Sequence, residues 1–427
     1  TATSSRRRSG FAICHRQSLS FPDESIDAGG SAMAVEPNVS SKRAVVERAQ
    51  AAAKVVKAAG DRIEAARELP PDVHAALVET GMFRLTLPRS IGGLEVSIPT
   101  FAEVAMVLAT ADASTAWCVG QGGGCAMSSS FLAPQAAKRL FGPPDAVLAW
   151  GAGVQGTAVE VAGGYRVSGR WSFASGSRNA TLLGAHCRLV DANGKPQLRA
   201  DGRPADRTAL FPRAKARIDD VWQVVGLRGT GSDTYAVEDL FVAGEDTIDR
   251  EELTSAREPG TLYRFPTIMV YAAAFAGVML GIARGMIDDL TALAIAKTAR
   301  GAASAMRDSE MFQADLARLE GRWRSVKRYH FGTITDIWDA VDRGAGLTLD
   351  QRIEARLAST HTIDEGCRIA VDAYRAAGQN AIFESAPFER RLRDALSASQ
   401  QVQGRASHFA TVGRHLLGLP PDTQMFI

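Results

Sequence analysis

The sequence predicts an α+β multi-domain chain: a helical N-terminal domain, a central β-barrel and a C-terminal four-helix bundle. Three observations carry this. Residues 40–142 repeat apolar positions at helical spacing, 146–242 switch to alternation punctuated by glycine, and the helical period returns from 261 and persists. The expected segments are 1–38 as a disordered extension or tag, 39–143 as the helical domain, 144–260 as the barrel and 261–427 as the bundle.

The lead segment has no apolar core long enough for a secretory signal. The tripeptide SAM at 31–33 reads as a cloning scar; a transit peptide is the competing reading, given Arg6, Arg7, Arg8 and the serine content. In the first domain Ser40 or Ser41 caps a helix that stops near Gly60. Pro70, Pro71 and Asp72 open a second helix, closed by Gly81. Helices at 98–111, 114–132 and 134–140 follow. The run GQGGGC at 120–125 lies inside a helical region with no strand before it. It reads as a break where a ligand or another helix approaches, not as a phosphate cradle.

Candidate strands are 146–150, 157–163, 165–175, 181–190, 207–213 and 233–242, with a hairpin turn at Gly163 and Gly164. Long helices are expected at 267–299, 309–343, 349–377, 389–398 and 403–416. The most apolar stretch, 268–282, is about 15 residues long against the roughly 20 a spanning helix needs, so it reads as a buried bundle helix.

Composition narrows function by exclusion. The 427 residues carry 49 Lys+Arg against 47 Asp+Glu, a net charge of +2, which gives no bulk attraction to nucleic acid or an anionic membrane. Hydrophobic residues at 46% supply enough apolar surface to order most of the chain. The 5 cysteines are scattered without a C-x-x-C pair, and the 7 histidines form no H-x-x-x-H pattern. A disulfide framework and a protein-bound metal are therefore not expected, and a reducing cytoplasmic location fits.

The local sequences then carry a resemblance. GRWSFASG (169–176), VWQVVGLRGTGSDTYAVEDLFV (221–242), RRLRDALSAS (390–399) and GLPPDTQM (418–425) resemble signatures of the acyl-CoA dehydrogenase superfamily. Within it they look most like the reduced-flavin-dependent two-component monooxygenases. The resemblance covers about residues 40–427 and implies the acyl-CoA dehydrogenase fold. It further implies a diffusible reduced flavin, FMN or FAD, supplied by a separate NAD(P)H:flavin reductase. It also implies a homo-oligomer, dimer or tetramer, and a small hydrophobic, aromatic substrate.

The same resemblance assigns residues. Ser175 and Gly176, at the end of a strand, would meet the isoalloxazine, with Ser175 hydrogen-bonding an oxygen adduct of the flavin. Phe173 would line the flavin or substrate side, sharing a strand face with Trp171 by period two. Trp150 and Gly151 would bring backbone amides to the pyrimidine edge, Arg300 would reach the flavin phosphate, and Gly378 and Gln379 would receive the cofactor tail from a partner subunit. Arg228 is a second phosphate candidate, and Trp117 would wall the substrate side.

The sequence departs from the family at its bases. The two slots of the dehydrogenases' catalytic Glu fall at Val402 and Thr267, and the monooxygenases' His falls at Gln401. None can take a proton, although Gln401 can hydrogen-bond substrate. His408, about two helical turns beyond Gln401, is the substitute candidate. Three readings stay open: a monooxygenase acting without that base, a dehydrogenase with a relocated base, and a degenerate flavin or ligand binder.

Overall fold

In the computed structural model the described residues are 41–250, 255–298 and 305–422, all within one unit, Val39–Ile427. The expected extension at 1–38 lies outside them. Helix α1 (Lys42–Ala58) begins where Ser41 Oγ accepts Ala44 N–H. The chain does not leave helical conformation for long at Gly60. Helix α2 (Gly60–Ala66) follows and ends on Arg67 in the left-handed region. Then come α3 (Pro71–Glu79), α4 (Ile98–Ala111), α5 (Ala113–Ala126) and α6 (Pro134–Phe141).

Strands β1 (Leu148–Trp150), β2 (Gly156–Val161), β3 (Gly164–Ala174), β4 (Leu182–Val190), β5 (Asp206–Pro212), β6 (Arg217–Asp219), β7 (Asp233–Ala243) and β8 (Thr247–Ile248) form one sheet. Its order is β6-β7-β3-β2-β4-β5-β8, with β1 also on β4. The closed barrel expected from the sequence is not formed. The end strands are only three and two residues long, and β6 pairs with β7 and β8 with β5, never with each other. Strands β1 and β2 run parallel to successive stretches of β4. The β2–β3 hairpin turns at Ala162 and Gly163, with Gly164 already paired to Val161.

Helices α7 (Thr267–Ala296), α8 (Glu310–Asp342), α9 (Leu349–Ala377), α10 (Pro387–Ser399) and α11 (Ser407–Leu416) complete the fold. Helix α7 is the centre and packs on α4, α5, α8, α9 and α10. By length and composition it is apolar enough to cross a membrane, but 89% of its most apolar window is buried inside the protein. Close approach explains its small residues. A Cβ on Gly277 would lie 2.3 Å from Ala102 O, and one on Gly281 would lie 2.3 Å from Met106 O, so α4 and α7 touch backbone to backbone.

Two large apolar cores result among the described residues, besides a small cluster of Ile353 and Val412. One runs through the N-terminal and C-terminal helices together, from Val45 to Ala398. The other, around Trp171, Leu183, Phe211 and Tyr235, belongs to the sheet. The end of β3 meets α5 and α7 beside this sheet, and the candidate site forms there.

Candidate active site

Strand β3 delivers the first group. Its pairing with β7 shifts register between Trp171 and Ala174, a β-bulge. Trp171 turns into the sheet core, stacks on Tyr235 and donates its indole N–H to His186 O at 2.9 Å. Phe173 takes φ +62°, unusual for a side chain that size, and its ring is 64% exposed, edge-on to Trp222. The bulge breaks the expected alternation. Trp171 and Phe173 do not share a face, because the extra residue rotates one against the other.

Ser175, 8% exposed, sits just beyond the bulge. Its Oγ accepts Trp117 Nε1–H at 3.2 Å and lies 2.7 Å from Ser232 Oγ. Ser232 Oγ lies 2.7 Å from Thr230 Oγ1, which donates to Leu227 O at 2.8 Å. Gly176 N–H is spent on Thr230 O at 2.7 Å, so the loop 227–232 is stitched to the end of β3.

Helix α5 supplies the facing wall. Asp112 caps it by accepting Thr115 N–H and Oγ1–H. The triple glycine does not break it. A Cβ on Gly123 would fall 2.4 Å from the Phe101 ring, and one on Gly124 would fall 2.1 Å from the Tyr271 ring, so the glycines admit aromatic rings against the helix. Trp117 then stacks on Phe275 at 4.0 Å, and Phe275 on Tyr271 at 5.8 Å. Tyr271 Oη lies 3.2 Å from Cys125 Sγ, and Gln121 Nε2 reaches both at 3.5 Å. An aromatic wall thus runs from the Ser175 hydroxyl to a small polar cluster. Burial pushes the Cys125 thiol up to about 12 and Cys118 up as well, so the wall is neutral and holds no thiolate. A small cavity, with room for about one water, lies between α5 and the sheet, lined by Leu69, Phe83, Cys118, Val147, Ser175 and Gly176.

The other expected residues fall elsewhere. Trp150 is buried against His186, with the Arg250 guanidinium over its ring. Gly151 N–H donates to Tyr235 Oη at 3.2 Å, and a Cβ there would lie 2.6 Å from Trp171 Cβ. That amide is committed inside the sheet and is not free for a flavin edge. Gln401 Oε1 accepts Gln403 N–H at 2.7 Å, closing its own short turn, and no hydrogen bond joins it to Ser175 or Trp117. Its expected substrate role therefore gains no support. Gly378 and Gln379 lie at the surface turn after α9, next to exposed Ile382 and Phe383. Arg300 lies outside the described residues. Arg228 faces Glu64 at 3.7 Å. His408 is buried with Nε2 on Val402 O at 2.7 Å, and burial lowers its basicity, so it is occupied structurally.

Sequence reasoning missed Thr230, Ser232, Phe275, Tyr271 and Asp394. The R-G-T-G-S loop was visible, but its hydroxyls were not tied to Ser175. Asp394 Oδ1 accepts Leu227 N–H at 2.6 Å and so holds that loop. Burial, aided by the neighbouring Asp112 charge, pushes its carboxyl up to about 7. Among the described residues no cluster of His, Cys, Asp or Glu could hold a metal.

Comparison with known proteins shows the family. Residues 41–141 match the acyl-CoA dehydrogenase N-terminal domain, and 273–403 match an acyl-CoA dehydrogenase C-terminal domain. The chain is 30% identical to indole-3-acetate monooxygenase of Pseudomonas putida over 83% of its own length and 89% of the relative's. It is 27% identical to the flavin-dependent monooxygenase oxygenase subunit HsaA of Rhodococcus jostii, over 82% and 92%. The solved structure of XiaF from a Streptomyces species, in complex with FADH2 and glycerol, superposes with TM-score 0.81 at 27% identity, over 90% of this chain and 97% of that one. Both terminal helical parts, the sheet between them and the sequence kinship lead to one assignment: the chain belongs to the acyl-CoA dehydrogenase family, on its branch of flavin-dependent monooxygenases.

Proposed function

We propose that the chain is the oxygenase component of a two-component monooxygenase. It takes reduced FMN or FAD made by a separate NAD(P)H:flavin reductase and oxygenates a small aromatic substrate in the cytoplasm, as a dimer or tetramer. The observation that carries this is the aromatic wall Trp117–Phe275–Tyr271 ending on the Ser175 hydroxyl.

The residues present fit a flavin. Exposed Phe173 and half-buried Trp222 offer aromatic surface on the strand and loop that flank Ser175, and a flat ring covering it would bury apolar area. Ser175 supplies a polar contact, and Gly378 with Gln379 is the candidate for the cofactor tail. Bound reduced flavin supplies the two electrons that place one oxygen atom of O2 on the substrate and release the other as water. The chain contributes a dry, neutral wall that orients an aromatic ring and keeps bulk water out. Among the described residues no base is hydrogen-bonded to Ser175: Gln401 is turned to its own backbone and His408 to Val402 O. This favours substrates oxygenated without prior deprotonation, at a soft sulfur, an amine nitrogen or an electron-rich ring.

The test is anaerobic loading with reduced FMN or FAD, then mixing with O2. A transient absorbance at about 370–390 nm preceding that of oxidised flavin is expected. Direct reoxidation with stoichiometric hydrogen peroxide, in the presence of every aromatic substrate tried, would sink the proposal.

A further inference from the structure

The hydroxyls behind Ser175 have a forced direction. Leu227 O is a carbonyl and can only accept, so the hydrogen of Thr230 Oγ1 points to it at 2.8 Å. A threonine hydroxyl has one hydrogen. In the 2.7 Å pair with Ser232 Oγ, therefore, Ser232 is the donor. Ser232 has then spent its own hydrogen, and in the 2.7 Å pair with Ser175 the donor is Ser175. Trp117 Nε1–H fills one acceptor position of Ser175 Oγ. What remains to Ser175 Oγ is a single lone pair. All four side chains are buried, so water does not scramble the order.

We infer that Thr230 and Ser232 are positioning residues that fix the Ser175 hydroxyl as an acceptor toward the pocket, so that it favours a flavin whose facing edge carries N–H over one that presents a lone pair. This rests on the reading that flavin meets Ser175. In flavin chemistry the ring nitrogens that gain hydrogen on reduction turn from acceptors into donors. An acceptor-only hydroxyl therefore separates reduced from oxidised flavin at the binding step, before O2 or substrate is involved. The chain is anchored at both polar groups of Leu227: its N–H is held by Asp394, and its carbonyl takes Thr230 Oγ1–H and Trp222 Nε1–H.

Equilibrium binding tests this without turnover. Dissociation constants for oxidised and reduced FMN and FAD are measured anaerobically on the full chain. The wild type is expected to bind the reduced form more tightly. Thr230→Val or Ser232→Ala frees the Ser175 hydrogen, and each is expected to lower the preference by about three- to tenfold, the worth of one hydrogen bond. Thr230→Ser keeps the terminal donor and is expected to keep the wild-type ratio. If Thr230→Val and Ser232→Ala leave the ratio unchanged while Ser175→Ala lowers it, the hydroxyl chain is overturned and the Ser175 contact stands. If Ser175→Ala also leaves it unchanged, flavin does not meet Ser175, and the underlying reading fails with the inference. Far-UV circular dichroism checks folding, and if Thr230→Val does not fold, Ser232→Ala carries the test.

Discussion

Asp394 Oδ1 accepts the backbone N–H of Leu227 at 2.6 Å, joining helix α10 to the loop that backs Ser175. The contact is fully enclosed: Gly226 approaches so closely that a Cβ there would lie 2.2 Å from Arg393 O. Arg393 turns the other way, to Glu389, Glu64 and Val225 O. The Arg-Asp pair read from the sequence as a family signature is thus a mechanical joint. Its arginine fastens α10 to α2 and the loop, and its aspartate sets the loop's backbone.

That joint is expected to titrate. Burial and the nearby Asp112 carboxylate raise the Asp394 pKa to about 7, while the unfolded chain loses this proton near the ordinary carboxylate value of 3.8. Between those values the folded state holds a proton that the unfolded state has released. This group's share of stability therefore falls as pH rises, until it levels off above about pH 7. The buried histidines His186 and His330 act oppositely: burial lowers both, so the stability they confer is lost as pH falls below about 6.5. The informative quantity is the difference between variants. Asp394→Asn keeps the acceptor oxygen and removes the charge, so its urea midpoint relative to wild type is expected to rise from about pH 4 to about pH 7 and then level off. A flat difference would show that the carboxyl titrates normally.

Phe173 holds φ +62° with its ring mostly in solvent, so folding gains little from it and bears strain of about 1 kcal/mol or more. On the proposed function this residue serves binding rather than stability. Phe173→Gly is expected to leave the melting temperature unchanged or raise it by a few degrees. The same variant is expected to weaken binding of reduced FMN and FAD by about tenfold, the loss of one buried aromatic contact. Destabilisation with normal flavin affinity would remove Phe173 from the site.

Much of this was legible in the residues, and the exceptions have physical causes. The caps at Ser41, Ser97 and Asp112 and the prolines at helix starts mark helix boundaries locally, and the long bundle helices fall close to their expected limits. Strands β6 and β8 escape notice because two or three residues carry no period. The bulge at Phe173 is invisible to alternation because it is set by pairing with β7 across the sheet. The glycine run 122–124 suggests a break, yet its cause lies in rings from other elements, Phe101 against Gly123 and Tyr271 against Gly124. Gln401 turns its amide oxygen to Gln403 N–H two residues on, a local choice that motif spacing does not reveal.

Two glycines in helices separate packing from propensity. Gly124→Ala would drive a methyl 2.1 Å from the Tyr271 ring, in the middle of the aromatic wall, and is expected to cost about 1–3 kcal/mol or more. Gly321 in α8 is exposed, with nothing within 4 Å of an added Cβ, so Gly321→Ala is expected to stabilise by about 0.5–1 kcal/mol. Chemical denaturation of both variants checks the opposite signs. A neutral Gly124→Ala would mean that the stack of Tyr271 on Phe275 is loose.

On the proposed function the polar end of the wall bears on specificity. Gln121, partly buried, donates to Cys125 Sγ at 3.5 Å, an ordinary length for sulfur, and lies a long 3.5 Å from Tyr271 Oη, so its amide can take a better oxygen partner. A substrate ring lying along Trp117 and Phe275 would bring its polar substituent to this amide and the Tyr271 hydroxyl, with the reacting position toward Ser175. Gln121→Leu keeps the volume and removes the hydrogen bonds. For aromatic substrates with a hydroxyl or carboxylate substituent, kcat/KM is expected to fall about tenfold or more, mostly through KM. For unsubstituted rings it is expected to hold or improve, since a buried amide no longer goes unpaired. Equal losses on both substrate classes would place the polar substituent elsewhere in the pocket.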